Sequence, residues 1–413
     1  MKLIYILFIA VISFFQLEEV PVSYQGRFRP MEINEEALTL PGRYDKGEWL
    51  PLKIAGEGEK NVTAYSDFHF NAIRSAYLKK DKKKLAEALN SAYETIAGTP
   101  YRKAAGRRLY FPSTTRLKAE ALYKKARLPL FVLALYLAAL LFRSVPLFIG
   151  AFLFHTLTLA LRSYILGRPP VSNMYETTLF VPWVASLSGL GLFFIFRSKT
   201  ALAAASIAAL LLLALPLFLR MPDTLGTVQP VLDSGLWLTI HVLAVVGSYG
   251  LFIFAGLLGH LYLLLTLRKE NGAAAMKTIA PLILQSLYIG TALLIGGTIL
   301  GGVWAAQSWG RFWDWDPKES WAFISSCLYL LWIHAYRFGY IKERGLAYGS
   351  VVGLLAITFT WYGVNYILGT GLHSYGFGSG GEGLYTLYIG GELVFLAFIS
   401  AFSYYLSFRS QKS

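Results

Sequence analysis

The sequence predicts an all-α polytopic membrane protein of about ten transmembrane helices, with a small, mostly helical exported domain after the first span. Three observations carry that expectation. Of 413 residues, 55% are hydrophobic and 15% charged, and the mean hydropathy is +0.49. Uninterrupted apolar stretches of about twenty residues, each long enough to cross a hydrocarbon core, recur along the chain. Basic residues gather in alternate short loops, the asymmetry that marks a cytoplasmic face.

In chain order the expected spans lie near 3–16, 128–142, 145–166, 177–196, 200–219, 237–267, 279–302, 321–341, 346–368 and 385–407. The first two are short. No small-x-small cleavage site precedes Glu18, so 1–16 reads as a retained N-terminal anchor rather than a signal peptide. An exported soluble domain over 17–127 and a polytopic domain over 128–413 follow. One set of loops carries Arg143; Arg197 and Lys199; Arg268, Lys269 and Lys277; Arg337, Lys342 and Arg344; and Arg409 with Lys412. The alternate loops hold only Arg168, Arg220, Arg311 and Lys318. Both termini are then cytoplasmic, and 17–127 lies outside.

The net charge of +14 does not point to nucleic acid. Residues 17–127 hold 21 Lys/Arg against 14 Asp/Glu, and the remainder holds 17 against 10. The first excess is on an exported segment, and the second is the inside-positive bias. Lys79–Lys84 reads as a solvated helix face or a contact with anionic lipid or an acidic partner. The single cysteine, Cys327, excludes a disulfide, a CxxC redox pair and a CxxCH haem-attachment site in this chain.

Within the exported segment, Gly26–Leu38 reads as a turn leading into a short helix. Asp67–Ile96 has helical spacing, broken near Asp81 and ended by Gly98 and Pro100. Asn61-Val62-Thr63 matches a glycosylation sequon, and His69 reads as an ordinary surface or core histidine.

The most informative segment is WGRFWDWDPKESW, Trp309–Trp321, within a loop over 303–321. It holds Trp309, Trp313, Trp315 and Trp321, with Trp304 just upstream. Interfacial anchoring uses one or two tryptophans per boundary. A flat stack of indoles suits a large planar apolar ligand whose polar edge meets Arg311 or Lys318. Asp316-Pro317-Lys318-Glu319 reads as a helix start: Asp as N-cap, Pro first, Glu third. Asp314 and Arg311 have no such scaffolding role and are candidates for ligand or partner contact.

Five of the six histidines lie beyond residue 150, where ionisable groups in spans need an explanation. His241 is near the outer end of its span, and His373 follows the next-to-last span in an outer loop that leads into the glycine-rich Gly376–Gly383. Two crossings separate His241 from the Trp-rich loop, and two more separate that loop from His373. All three therefore reach one membrane face. Two imidazoles flanking indoles suit a bis-histidine haem site; structural histidines, or a quinone or other cofactor site, are the other readings of the spacing. His334 lies roughly 20 Å from the outer face, and His155 roughly 15 Å from the inner face, at helical rise. They form a possible inner pair, with a helix–helix hydrogen bond as the other reading of His155. His260 reads as interfacial.

At these residues the chain resembles the WWD-motif haem-handling proteins of cytochrome c assembly, in particular the CcsA-type subunit of the System II haem lyase. PVSNMYET (Pro170–Thr177), LDSGLWLTIHV around His241, LLWIHAYRF around His334 and WYGVNYILGTGLHSYGF (Trp361–Phe377) are similar to that branch, in order, across roughly 145–408. The resemblance implies a haem lyase component of a bacterial cytoplasmic membrane. It would carry haem b outward and present it for thioether attachment to the CxxCH of apocytochrome c. It further implies His241 and His373 as axial ligands of the external site, a WWD loop (Trp309, Trp313, Asp314, Trp315, Asp316, Trp321, with Trp304 and Arg311) cradling the haem, and His334 as a ligand of an inner site. The second inner ligand would come from a CcsB/ResB-type partner subunit or from His155. A separate thiol-reducing protein is implied as well. No protein nucleophile is needed, because catalysis is largely positioning.

Two alternatives come from other classes. One is a haem exporter handing its cargo to a chaperone, as CcmC-type proteins resemble, though those are shorter and lack a large exported domain. The other is a redox subunit with haem b or quinone as a permanent carrier. That reading expects both histidine pairs inside spans, whereas His373 sits in a loop.

Overall fold

The computed structural model describes residues 114–221, 234–267, 272–371 and 382–411 without interruption, together with 19–24, 27–32, parts of 72–98, 103–104, 107–108, and residues 223, 225 and 373. The chain divides into two compact units. The expected span 3–16, the sequon at 61–63, His69 and residues 374–381 lie outside the described residues.

The first unit comprises Met1–Leu128, Ala160–Gly167 and Thr224–Val228. Strands β1 (Glu19–Tyr24) and β2 (Arg27–Glu32) pair antiparallel, with Glu19 opposite Glu32 and Tyr24 opposite Arg27. Arg27–Glu32 is therefore a strand where the start of a helix was expected, while Gly26 and residues 33–38 lie outside the described residues. The alternation of Arg27, Phe28, Arg29, Pro30, Met31 and Glu32 has the two-residue period of a strand, which outweighs the helical reading. Helix α1 (Lys82–Gly98) starts where Asp81 Oδ1 accepts from the Lys84 amide at 3.1 Å, so the break near Asp81 is a helix cap. Lys79, Lys80, Lys82, Lys83 and Lys84 are all exposed. Strands β3 (Lys103–Ala104) and β4 (Arg107–Arg108) form a second short pairing, and α2 spans Thr114–Lys125. Ala119, Tyr123, Leu161, Ile165 and Leu225 make the core. The buried Arg162 donates Nη1–H to the Tyr123 hydroxyl at 3.2 Å.

The second unit is a helical bundle. Among the described residues, seven helices are long and apolar enough to cross a membrane: α4 (Val145–Leu166), α5 (Met174–Phe196), α6 (Lys199–Phe218), α7 (Gly235–Leu265), α8 (Ala273–Trp309), α10 (Glu343–Leu368) and a C-terminal helix, α11, whose apolar part is Glu382–Tyr405. Two of the ten expected spans fall short of that measure. Helix α3 (Leu128–Leu141) has only 14 residues, roughly 21 Å at helical rise, against a hydrocarbon core of about 30 Å. Helix α9 (Pro317–Arg337) has 21 residues, but Lys318, Glu319, Ser320, Ser325, Ser326 and His334 dilute its hydropathy. It begins four residues earlier than hydropathy indicates, because Asp316 and Glu319 form the capping box that the sequence encodes.

Helix α7 is the centre of the bundle, with Phe252, Phe254, Ala255, Leu258 and Leu263 all fully buried. Small residues set how closely its neighbours approach. A Cβ on Gly250 would meet the α5 backbone at Val181 and Ala185, and one on Gly259 would meet Ala347 and Ser350 of α10. Phe252 stacks on Tyr329 of α9 with ring centroids 3.7 Å apart. By contrast, α11 exposes most of its length, including Leu387, Val394 and Phe398.

Two segments depart from α-helical winding. Leu238–Val242 within α7 and Phe359–Leu368 at the end of α10 are π-helical. Such turns shift side chains out of the regular register and occur frequently at functional sites. Both flank the cavity described next.

Candidate functional site

The N-terminal ends of α5, α7 and α9 and the C-terminal ends of α8 and α10 enclose a cavity of about 180 Å³. A smaller one of about 50 Å³ adjoins it. His241, Val242, Gly301 and His373 line both. The two histidines that the sequence places on one membrane face therefore border the same space.

Each imidazole is anchored in the same way. His241 lies in the π-helical turn and donates Nδ1–H to the Gly297 carbonyl at 2.7 Å. His373 donates Nδ1–H to Asp316 Oδ1 at 3.0 Å. Both rings then carry their lone pair on Nε2, the tautomer that metal-ligating histidines adopt when a carbonyl or carboxylate holds the other nitrogen. Each ring also meets an indole edge-on: Trp304 lies 5.8 Å from His241, and Trp309 lies 5.1 Å from His373 at 89°. Gly301 packs directly under the His241 ring, where a Cβ would collide with Cε1 and Nδ1.

Asp316 has two tasks. Its carboxylate caps α9 through the Lys318 amide at 2.9 Å and holds His373. Burial works against its charged form, but the bonds from the His373 ring and from the amides of Lys318 and His373 outweigh it and hold the pKa down at about 2. Gly371, at φ +97°, lies against this carboxylate; a side chain there would be strained and would strike Asp316.

Glu319 organises the Trp-rich loop. It accepts from Arg311 Nη1 at 2.9 Å and from the amides of Asp314 at 2.9 Å and Asp316 at 3.3 Å. Arg311 also pairs with Asp314 through Nε at 3.4 Å and lies over the Trp309 ring at 5.3 Å. Arg311 and Asp314 thus have the scaffolding role that their sequence context does not suggest, and neither lines either of these two cavities. The loop leaves α8 at Gly310, φ +73°, the left-handed conformation that ends helices.

The expected flat stack of indoles is replaced by rings at right angles. Trp313 lines the larger cavity, and Trp304 and Trp309 line the smaller. Trp315, at φ +55°, is 68% exposed and meets Trp313 edge-on at 87°. Trp321 packs on Phe359 at 4.3 Å.

The segment leading into α5 and that helix's first turn supply the remaining wall through Val171, Ser172, Asn173, Met174 and Thr177. It is fixed by the buried Glu176, which accepts from Arg168 at 2.8 and 3.0 Å and from the Ser172 amide and hydroxyl at 2.9 and 3.0 Å. Asn173 caps α5 through the Glu176 amide at 2.9 Å.

The other histidines lie apart from this cavity. His155 is buried. It donates Nε2–H to the Leu179 carbonyl at 2.9 Å and accepts the Tyr136 hydroxyl at Nδ1 over 3.4 Å. Both ring nitrogens are thus engaged between α3, α4 and α5, as the helix–helix reading of His155 expects. His334 is in the last turn of α9, exposed, with Nδ1–H donated to the Leu330 carbonyl at 2.7 Å. His260 meets Glu392 Oε2 at 2.8 Å.

The residues that sequence reasoning passed over are Gly297, Gly301, Thr298 and Asn365. The paired glycines of GGTILGG, Gly296–Gly302, were a usable signal, since glycine inside a span marks a close approach.

Residues 171–373 match the family described as Cytochrome C assembly protein. The chain is similar to the CcsA cytochrome c biogenesis protein of a Synechococcus species, 33% identical over 252 residues that cover 54% of this chain and 82% of that one. It is 31% identical over 295 residues to the Prochlorococcus marinus CcsA, covering 60% of this chain and 94% of that one. It is also 35% identical to Protein NrfI of Wolinella succinogenes over 311 residues, which is 69% of this chain and 34% of NrfI. The chain therefore spans about a third of that relative's length.

Proposed function

This chain belongs to the cytochrome c assembly family, and from that membership we propose that it binds haem b between His241 and His373 and presents it for attachment to apocytochrome c. The observation that carries the reading is the matched pair of anchored imidazoles bordering one cavity, each held through Nδ1 so that Nε2 bears the lone pair.

The residues fit the group. The buried Trp313 indole N–H makes no hydrogen bond among the described residues, and Gly301 keeps the space beside His241 clear. At about 180 Å³ the larger cavity is below the roughly 300–1,000 Å³ of sites that enclose drug-sized ligands. A porphyrin would therefore take both cavities and move side chains between them.

When bound, haem would supply two vinyl groups; at each, a cysteine S–H adds across the C=C, so that the S–H bond and the π bond break as one C–S and one C–H bond form. The protein's part is to hold and orient. His241 and His373 would hold the iron, Trp304, Trp309 and Trp313 would confine the ring, and the segment Val171–Met174 would close the far wall. Precise placement of this kind accelerates a reaction without a protein nucleophile.

For the inner site, His334 is on an exposed face of α9 with Cys327, Leu331 and Phe338. An exposed histidine within an apolar helix needs a covering partner. A second membrane subunit of the CcsB type would supply both that cover and the other ligand.

The test is His241→Ala and His373→Ala, singly and together, with haem content measured by pyridine haemochrome and spin state by absorption. The expected result is loss of the low-spin spectrum and of cytochrome c maturation, partly restored by added imidazole. A double variant with an intact low-spin spectrum would overturn the assignment.

A further inference from the structure

We propose that Lys318, seated by Asn365 and the Trp361 carbonyl, is the receptor for a carboxylate of the bound ligand, and that it makes this site selective for the free-acid porphyrin. The inference rests on the reading above, that a porphyrin occupies this cavity.

Lys318 lies in the first turn of α9 and lines the larger cavity. Its ammonium donates to Asn365 Oδ1 at 2.6 Å and to the Trp361 carbonyl at 3.1 Å, both on α10. An ammonium carries three N–H donors, and two are placed by these neutral acceptors. Neutral acceptors orient the cation without balancing its charge. Asp316 attracts it from nearby, but that carboxylate is engaged by the Lys318 amide and the His373 ring. A charge compensated only in part in an apolar enclosure is costly. Among the described residues, no carboxylate forms an ion pair with Lys318.

Among the described residues that line the cavity, no second lysine or arginine competes for an arriving carboxylate. Among its described lining residues, Lys318 is the one lysine or arginine and Glu319 the one carboxylate. Glu319 is committed to Arg311 and to two backbone amides. The other nearby cation, Arg311, borders neither cavity and is paired with Glu319 and Asp314. Of the two cations that the sequence offers for the ligand's polar edge, the geometry points to Lys318. A carboxylate arriving there would form a charge-assisted bond, shorter and about twice as strong as a neutral one.

The experiment uses the purified full chain, stripped of haem and titrated with haem b and, separately, with its dimethyl ester, in which both carboxylates are blocked. The wild type is expected to bind haem b about ten- to a hundredfold more tightly than the diester, the span of one bond to a charged group. Lys318→Met should lose that preference while keeping a low-spin spectrum, because both histidines remain. Lys318→Arg should keep part of it. Equal affinity of the wild type for acid and ester would overturn the proposal, and this arm needs no variant to fold. That outcome, with low-spin binding intact, leaves the haem site standing. Failure of the wild type to give a low-spin complex with either compound would instead overturn the site itself.

Discussion

His373 donates its Nδ1–H to Asp316 across 3.0 Å, and the same carboxylate caps helix α9. One side chain thus joins the start of α9 to a histidine 57 positions later. The cap fixes where the carboxylate points, and the carboxylate fixes the tautomer and direction of the ring.

Removing that carboxylate should therefore act on ligand binding more than on folding. Asp316→Ser keeps an N-cap hydroxyl but is too short to hold His373. Haem affinity should fall about 10–100-fold, the usual effect of losing a partner behind a metal-ligating histidine. Asp316→Ala should add a loss of about 1 kcal/mol in stability from the missing cap. Haem titration read against a thermal melt in detergent separates the two effects.

Gly301 gives a steric test on the other side. Gly301→Ala places a methyl group into the His241 ring and should abolish low-spin binding. Gly296→Ala, one turn away in the same helix, faces open space and should bind as the wild type does. Equal behaviour of the two variants in haem titration would mean that the His241 position is not critical.

The Arg168–Glu176 pair holds the loop of Val171–Met174. Glu176 is fully buried, so Glu176→Ala leaves the guanidinium without its partner and should destabilise the protein by about 3–5 kcal/mol. A drop in the detergent melting temperature, accompanied by new protease cleavage near Arg168, is the expected observation.

His155 should prove structural. His155→Ala removes two hydrogen bonds between helices, each worth about 1 kcal/mol, and should lower stability while leaving haem content unchanged. A fall in haem per protein, with the helical signal intact, would return His155 to the inner site.

Much of the fold was legible in the sequence, because its signals are local. Hydropathy alone locates most of the long helices to within a few residues, but it shortens α8, expected over 279–302 and observed over Ala273–Trp309. The capping box at Asp316 was readable because a cap involves neighbours three residues apart. The period of Arg27–Glu32 was present as well, but the preceding turn made it read as a helix start. The weak points were equally physical. Hydropathy averaged over a window puts the start of α9 at its first apolar residue, whereas the cap puts it at Pro317. Roles inside the Trp-rich loop depend on where Glu319 folds back, which spacing does not encode.

By itself, then, the sequence determined that several helices are apolar enough to span a bilayer, and it determined which histidines and tryptophans share one end of the bundle. Both follow from periodicity and from counting crossings, which are properties of the chain. The tertiary structure decided the rest. It set the indoles at right angles instead of in a stack, turned Arg311 into the loop and Lys318 into the cavity, used both nitrogens of His155 between helices, and assigned Asp316 to His373. Each of those outcomes depends on contacts between residues distant in sequence, and on which lone pair or N–H remains once the nearest partner has taken the other.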